Sequence, residues 1–218
     1  MKLFYGTGNV SKLQNMRALL EGMPIELLSP AEVDVVLPEI KETGATPLEN
    51  ARLKARAYRD AVQLPSFALD SGLYIQGLPD AEQPGPYVRR VGERSLTDEE
   101  FIEYYAAAAR RNGGRIKARF LNGLCVVLDE QHSKEAFGVQ VSTDWFWIVD
   151  TPCDTRLEGF PMDSIAVDPA TGAYWVENDL NDAASAKGST LAAGIRRFFS
   201  ELLAGDLHSS IEPITEGG

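Results

Sequence analysis

A short apolar segment, a glycine-containing turn and an amphipathic helix follow one another at the start of the chain. Leu3–Tyr5 predicts a β-strand, and the turn after it contains Gly6 and Gly8. Leucine and methionine side chains at helical spacing then predict a helix over Ser11–Leu20. A strand–turn–helix unit of this kind is typical of α/β folds, and it directs backbone N–H groups at the start of the helix towards an anion.

The turn also carries side chains that suit a phosphate cradle. Thr7, Gly8 and Asn9 form its tip, and Lys12 adds a positive charge one helical turn later. The spacing differs from that of a Walker A loop, in which four residues separate two glycines before Lys-Ser/Thr. Asn9 is equally a good helix N-cap. By itself the segment therefore fits either an anion site or a tight, capped loop.

Strand and helix patterns alternate along the remaining chain and predict an α/β fold with a mixed sheet. Thr46-Pro47-Leu48-Glu49 and Thr97-Asp98-Glu99-Glu100 both predict a helix start with a capping box. The predicted helices are Ser11–Leu20, Pro47–Val62, Asp98–Arg111 and Thr190–Leu203. The predicted strands are Lys2–Tyr5, Ile25–Leu28, Ser66–Leu69, Leu73–Gln76, Ala118–Leu128, Ala136–Val141 and Trp145–Val149. We expect one domain over residues 1–205 and a loose tail over 206–218.

Charge and cysteine content limit the class of partner. The 218 residues have a formal net charge of −11, which argues against a broad nucleic-acid surface but allows a small basic nucleotide pocket. No apolar run approaches the ~20 residues that span a bilayer, and no secretory signal is recognisable. Cys125 and Cys153 lack zinc-ligand spacing and fit free thiols in a reducing compartment. We therefore expect a cytoplasmic protein that binds neither nucleic acid polymers nor membranes.

Two acidic segments are candidate metal sites. Asp70 follows an apolar strand, a position at which carboxylates bind Mg²⁺ or act as bases. Asp70-Ser71-Gly72 equally fits a plain turn between two strands, which the pattern alone favours slightly. Glu39 and Glu42 offer a second metal ligand or, as most charge runs do, a solvated surface. Lys54 lies either on the helix surface or towards the cradle, where it would suit a triphosphate.

Two later segments fit contacts with a nucleotide. Phe160 follows a glycine in a predicted loop, where its ring either stacks on a base or packs in a small core. Lys187, just before the last helix, lies either on the surface or against a ligand. His132 and His208 fall in a predicted turn and in the tail, so catalysis by histidine or zinc is not expected.

The order of these segments resembles that of the inosine triphosphate pyrophosphatase family, the XTP/dITP diphosphatases. The matching motifs are Thr7-Gly8-Asn9-x-x-Lys12, Glu42-Thr43-Gly44-x-Thr46-x-x-Glu49-Asn50-Ala51-x-x-Lys54-Ala55, Asp70-Ser71-Gly72-Leu73, Pro84-Gly85-x-Tyr87-x-x-Arg90, Ala118-Arg119-Phe120, Gly159-Phe160-x-x-Asp163 and Ser185-x-Lys187-Gly188-x-x-Leu191. The resemblance implies an elongated mixed-sheet fold with two lobes and a central cleft, commonly as a homodimer. It also implies Mg²⁺-dependent hydrolysis of a nucleoside triphosphate to a monophosphate and pyrophosphate.

Residue by residue, the resemblance implies three sets of site residues. The catalytic set is Asp70, Lys12 and Lys54, with Asp70 binding the metal and activating the attacking water. The metal ligands are Asp70 with Glu42 or Glu39. The substrate contacts are Thr7, Gly8, Asn9, Lys12, Ser71, Arg90, Phe160, Asp163, Lys187 and Gly188.

The chain departs from the family pattern at both ends of the implied site. Leu69 and Lys41 replace acidic residues, so Glu42 or Glu39 would have to supply the second metal ligand. The base-reading motifs contain Pro161-Met162, Ala186-Lys187 and Asn181 where the family has other residues. Loss of a hydrogen-bond donor to the base can change discrimination by orders of magnitude. Three functions stay open: a pyrophosphatase for deaminated purines such as dITP, ITP or XTP, the same enzyme with another base preference, and a nucleotide-binding protein without turnover.

Overall fold

A computed structural model describes residues 1–92, 94–177, 190–205 and 210–211. The helices are α1 (Val10–Leu19), α2 (Pro47–Val62), α3 (Asp98–Arg111) and α4 (Thr190–Leu203). The strands are β1 (Lys2–Tyr5), β2 (Glu26–Leu28), β3 (Ser66–Ile75), β4 (Arg90–Val91), β5 (Arg94–Ser95), β6 (Arg115–Val127), β7 (Ser133–Gly138), β8 (Phe146–Val149), β9 (Ala166–Val167) and β10 (Ser210–Ile211). Short 3-10 helices cover Pro30–Glu32, Asp80–Glu82, Val139–Val141 and Pro161–Ser164. None of the helices in these ranges is long and apolar enough to cross a bilayer.

Eight of the strands form one mixed sheet, which confirms the predicted α/β class. The strand order is β10-β7-β6-β3-β1-β2, with β8 paired to β6 and β9 to β8. β1 runs parallel to β2 and β3, and β10 runs parallel to β7. β6 pairs antiparallel with β7, which confirms the predicted central hairpin, and it also pairs antiparallel with β8. β4 and β5 form a separate two-stranded ribbon.

The predicted helices are confirmed, but one predicted turn is wrong. Asp70-Ser71-Gly72 does not separate two strands, because β3 continues through all three residues. Thr97 forms a complete capping box with Glu100. The Thr46 hydroxyl accepts a hydrogen bond from the Glu49 backbone N, but the Glu49 carboxylate accepts from Ala45 N instead of returning to Thr46.

The chain divides into two compact units. The first contains residues 1–72, 121–142 and 190–218, as far as these are described. Its larger core combines side chains of α1 and α4 with one face of β3 and β6, for example Phe67 and Leu124. Side chains alternate along a strand, so Ala68 and Cys125 lie on the other face, where small side chains of α2 pack against them. The layer of α2 therefore covers the face of β3 to which Asp70 also belongs.

The second unit contains residues 73–120 and 143–189, again as far as they are described. Its core is formed by α3 with apolar side chains of β6 and β8, including Phe101, Tyr105, Ile116 and Ile148. Both cysteines are free thiols, as predicted, with Cys125 buried and Cys153 half-buried.

Candidate active site

The first strand and helix form the turn that the sequence predicted. Tyr5 lies opposite Phe67 in the parallel β1–β3 pair, and their rings stack 4.4 Å apart. Beyond Tyr5 the chain turns, and Asn9 caps α1 by accepting a hydrogen bond from the backbone N of Lys12 at 3.1 Å. The Thr7 hydroxyl accepts from the backbone N of Asn9 at 3.2 Å. These side-chain oxygens fix the shape of the turn, whose far end is the N-terminus of α1.

Helix α2 approaches this turn closely because position 6 has no side chain. A Cβ added at Gly6 would lie 2.2 Å from the ring of Tyr58 on α2. The same ring packs edge-on against Phe4, with the centroids 5.7 Å apart. At the start of α2, a Cβ added at Gly123 on β6 would lie 2.2 Å from the backbone N of Leu48. Glycine at both places brings the helix against the strands, within reach of the side chains on β3.

Lys54 on α2 contacts two carboxylates. Its ammonium Nζ lies 2.6 Å from Asp70 Oδ1 and 3.1 Å from Glu42 Oε1. The side chains of Lys54 and Asp70 are 14% and 13% exposed, while that of Glu42 is 37% exposed. Of the two positions that the sequence allowed for Lys54, the structure has the inward one. It therefore brings together Lys54 and two of the candidate metal ligands.

The electrostatics of this cluster keep the lysine charged. Burial by itself lowers the pKa of the Lys54 ammonium, because a poorly solvated environment disfavours the charged form. The attraction of Asp70, supported by that of Glu42, exceeds this effect and raises the pKa above its ordinary value. Lys54 therefore supplies a positive charge next to both carboxylates at neutral pH.

Asn50, which belongs to the family motif but had no predicted site role, completes the cluster. Asn50 is 1% exposed, and its Nδ2 donates a hydrogen bond to Asp70 Oδ2 at 3.2 Å. Its Oδ1 accepts a hydrogen bond from the backbone N of Gly44 at 2.8 Å. Two features of the sequence could have identified it. Asn50 belongs to the family motif, and it precedes Lys54 by four residues, so both side chains lie on one face of α2.

The acidic segment before α2 supplies one carboxylate to this cluster. Glu42 contacts Lys54, whereas Glu39 and Lys41 are exposed. In the described ranges, no three His, Cys, Asp or Glu side chains are grouped so that they could hold a metal ion. A cation at this place would therefore find two carboxylates, those of Glu42 and Asp70.

Strand alternation separates Asp70 from its neighbours on β3. Asp70 shares the α2-facing side with Ala68, whereas Leu69 packs with the larger core on the other side. Ser71 is half-buried, and the same alternation puts it on the side of Leu69. The structure therefore unites Asp70, but not Ser71, with Lys54.

The other predicted substrate contacts that the structure describes belong to the second unit. Arg90 is exposed at the start of β4, with its guanidinium 5.3 Å from the centroid of the Tyr87 ring. Phe160 is half-buried directly before the 3-10 helix Pro161–Ser164, and Asp163 is buried within that helix. The backbone N of Asp163 donates to Phe160 O at 3.1 Å. Lys187, Gly188 and Asn181 lie outside the described residues.

The first unit thus combines three features that suit phosphate chemistry. A capped helix N-terminus offers backbone N–H groups to an anion. A buried ammonium neutralises negative charge, and a carboxylate on a rigid strand can bind a cation or accept a proton from water.

Comparison with known proteins links this arrangement to one family. A family model described as the Ham1 family matches residues 3–160. A dITP/XTP pyrophosphatase of Halorhodospira halophila is 32% identical, over 93% of this chain and 99% of that protein. A dITP/XTP pyrophosphatase of Thermus thermophilus is 35% identical, over 88% of this chain and 89% of that protein.

A solved structure shares the fold. The HAM1 protein from Coxiella burnetii superposes with a TM-score of 0.72 at 26% sequence identity. The superposition covers 94% of this chain and 99% of that one. The similarity therefore extends over both the sequence and the fold.

Proposed function

The chain belongs to the Ham1 family, which confirms the resemblance seen in its motifs, and we propose that it hydrolyses nucleoside triphosphates to a monophosphate and pyrophosphate. The proposed substrates are deaminated purine nucleotides such as dITP, ITP and XTP, because similar proteins of this length are named dITP/XTP pyrophosphatases. The observation that carries the proposal is the contact of Lys54 with Asp70 and Glu42 beside α2.

The phosphate end of the substrate would bind to the first unit. We propose that the turn of Thr7, Gly8 and Asn9 with Lys12 holds the phosphates through backbone N–H groups and one ammonium. Lys54 would neutralise the charge that develops on the departing pyrophosphate. Such electrostatic stabilisation and positioning make up most of what a protein contributes to phosphoryl transfer.

Asp70 is proposed to activate the attacking water. Its carboxylate would accept the proton of a water molecule whose oxygen forms the new bond to the α-phosphorus, while the bond to the bridging oxygen breaks. The bridging oxygen leaves as part of pyrophosphate and keeps both electrons of the broken bond. The rigid strand β3 and the donors on α2 hold this carboxylate in place, which favours a defined direction of attack.

The residues present fit a bound Mg²⁺. This ion prefers oxygen ligands and is commonly held by one or two carboxylates together with substrate phosphates and water. Asp70 and Glu42 are two such carboxylates, and both contact the Lys54 ammonium. We propose that they hold the metal, with Glu39 as the alternative second ligand. When bound, Mg²⁺ would neutralise phosphate oxygens and polarise the bond that breaks.

We propose that the Phe160 ring stacks on the base and that Asp163 helps to shape the base pocket, while Arg90 assists in holding the phosphates. Ser71, Lys187 and Gly188 would contribute further substrate contacts. Because Phe160 precedes Pro161-Met162 instead of the family's usual residues, the base preference is the part of the function most open to change.

The decisive experiment measures pyrophosphate release from a panel of triphosphates with Mg²⁺. We expect faster release from dITP, ITP or XTP than from dATP or dGTP, and loss of release in Asp70→Asn. A preference for a pyrimidine or modified base would support the same reaction with a different substrate. Binding without release from any triphosphate would favour a nucleotide-binding protein without turnover, and near-normal release by Asp70→Asn would remove Asp70 from the mechanism.

The assembly and location stay predictions. A homodimer is implied by the resemblance, and a cytoplasmic location by the composition. Light scattering coupled to size-exclusion chromatography would test the first.

A further inference from the structure

Asn50 holds two parts of the candidate site at once. Its side chain is 1% exposed, and both ends of the amide are used. Oδ1 accepts from the backbone N of Gly44 at 2.8 Å, and Nδ2 donates to Asp70 Oδ2 at 3.2 Å. A backbone N–H can only donate and an ionised carboxylate can only accept, so the two partners fix the orientation of the amide.

As a result, each oxygen of the Asp70 carboxylate has its own donor on α2. Lys54 Nζ lies 2.6 Å from Oδ1, and Asn50 Nδ2 lies 3.2 Å from Oδ2. These two donors are four residues apart on one helix, so they are held at a fixed separation. Rotation of the carboxylate would break at least one of the two hydrogen bonds.

The two donors differ in what they can contribute. Lys54 brings a charge and also contacts Glu42. Asn50 is neutral, so its contribution to Asp70 is mainly direction. Through Gly44 it also holds the loop that carries Glu42, two residues earlier in the chain.

We propose that Asn50 is a positioning residue of the reaction: it orients the Asp70 carboxylate and couples that orientation to the Glu42 loop. This inference rests on the proposed function, because it assigns Asn50 to the hydrolysis that Asp70 would carry out. Asn50 acts through Asp70, and nothing in the proposal requires it to touch the substrate.

If the role of Asn50 were purely structural, it would be limited to holding the loop that carries Glu42 and Gly44. Glu49 offers a control for that role. The Glu49 carboxylate holds the same loop by accepting from the backbone N of Ala45 at 2.7 Å. Glu49 is exposed and has no place in the proposed catalytic or binding set. Glu49→Ala therefore weakens the loop and leaves both donors of Asp70 in place.

Two substitutions of Asn50 separate its two hydrogen bonds. Asn50→Asp keeps an oxygen for the backbone N of Gly44 but removes the donor to Asp70. Asn50→Leu removes both hydrogen bonds and adds no charge. The loss of the donor to Asp70 is what the two variants have in common.

The test compares kcat and KM for dITP among the wild type, Asn50→Asp, Asn50→Leu and Glu49→Ala, with thermal melting of each. A small misplacement of a reacting group can cost about 100-fold in rate, so we expect both Asn50 variants to lose about 10- to 100-fold in kcat. The KM should change less than about threefold, because Asn50 is not proposed to touch the substrate. Glu49→Ala should keep a kcat within about twofold of the wild type, because it retains the geometry of Asp70.

Calorimetric titration with Mg²⁺ alone gives a second readout that does not depend on turnover. If Asn50 orients Asp70, Asn50→Leu should bind Mg²⁺ several-fold more weakly than Glu49→Ala does. Equal Mg²⁺ affinities in these two variants would contradict the orienting role.

The kinetic outcomes also decide between the roles. If Asn50→Asp recovers the kcat that Asn50→Leu loses, Asn50 acts only through the loop and the inference is wrong. A loss in Glu49→Ala as large as that in Asn50→Leu leads to the same conclusion. An inactive wild type would overturn the proposed function and the inference with it, whereas an active wild type with active Asn50 variants would overturn the inference alone.

Discussion

Replacing Lys54 with methionine should leave Asp70 and Glu42 to repel each other, because the Lys54 ammonium now neutralises their charges. Methionine keeps much of the apolar stem but leaves Asp70 and Glu42 without their shared cation. In wild type the ammonium lies 2.6 Å and 3.1 Å from these carboxylates. We expect a less stable protein whose stability responds more strongly to Mg²⁺.

The exposure of the three side chains sets the size of the effect. Removing one member of a fully buried ion pair costs about 3–5 kcal/mol, whereas a surface pair contributes about 0–1 kcal/mol. Lys54 and Asp70 are 14% and 13% exposed, but Glu42 is 37% exposed, which places the cluster between these limits. Asn50 still donates to Asp70 in the variant. We therefore expect a loss of about 2 kcal/mol in the free energy of unfolding, or about 4–8 °C in Tm for a chain of this size.

Urea unfolding in EDTA and thermal melting measure this loss directly. The matched control is Lys2→Met, because Lys2 pairs with Glu26 at 3.6 Å with both side chains about 60% exposed. That variant should lie within about 0.5 kcal/mol of the wild type. The raised pKa of Lys54 also predicts how the stability difference depends on pH. Its contribution is fully present below the unfolded value near 10.4 and is lost only as pH rises through the still higher folded value, so the difference should not change between about pH 6 and 9.

Mg²⁺ provides the second part of this test. If Glu42 and Asp70 hold the metal, saturating Mg²⁺ should restore part of the stability that Lys54→Met lost, because a divalent cation replaces the missing charge. The variant should therefore gain more from Mg²⁺ than the wild type does. If Lys54→Met is as stable as the wild type in EDTA, the ammonium does not offset the repulsion between the two carboxylates. Equal gains from Mg²⁺ would argue that the pair does not hold the ion.

Three further predictions concern the scaffold of the first unit and the thiols. Burial raises the pKa of Cys125 to about 12, so a thiol reagent at pH 8 should titrate only Cys153 in the native protein and both cysteines in guanidinium chloride. Arg52→Met removes a two-bond contact to Glu135, with both N···O distances 2.7 Å, and should cost about 1–3 kcal/mol in urea unfolding at pH 7. The hydrogen bond from Arg52 lowers the pKa of Glu135, so this contribution is present above the unfolded value of about 4.3 and is lost as pH falls through the lower folded value. The difference between variant and wild type should therefore start to shrink as pH falls below about 4.3. Gly123→Ala would bring a methyl group against the backbone of α2 and should lower the unfolding free energy by about 1–3 kcal/mol in the same assay.

Local signals in the sequence identified the helices but not the full length of β3. The N-terminus of α2 has a threonine cap followed by proline, and the structure begins the helix at Pro47 as predicted. Asp70-Ser71-Gly72, in contrast, has the composition of a turn. The structure keeps these residues in β3, which neighbours β6 in the sheet beyond its short pairing with β1 at Ser66 and Phe67, and such pairing overrides residue propensity.

The same limit explains which site residues could be found from sequence. Asp70 was a candidate because an acid follows an apolar strand and Lys54 because it lies on a predicted helix, but only the family resemblance implied their roles. The role of Asn50 was not predicted, because the contacts of its amide with a loop and a carboxylate become visible only when α2, β3 and the Gly44 loop are placed together.

The family pattern has neighbouring acids at positions 69 and 70, and this chain keeps only the second. Strand geometry explains why the chemistry proposed for Asp70 does not need the first. Adjacent residues on β3 point to opposite faces, so Leu69 packs in the core shared by α1 and α4 while Asp70 faces α2. An acid at position 69 would lie on the core side and could not take the place of Asp70 beside Lys54. By the same reasoning, Leu69→Asp should not add a third carboxylate to the cluster. It should instead place a charge in a partly buried position among apolar side chains and lower the unfolding free energy without increasing Mg²⁺ affinity. Tighter Mg²⁺ binding by that variant would contradict the placement of the two residues on opposite faces.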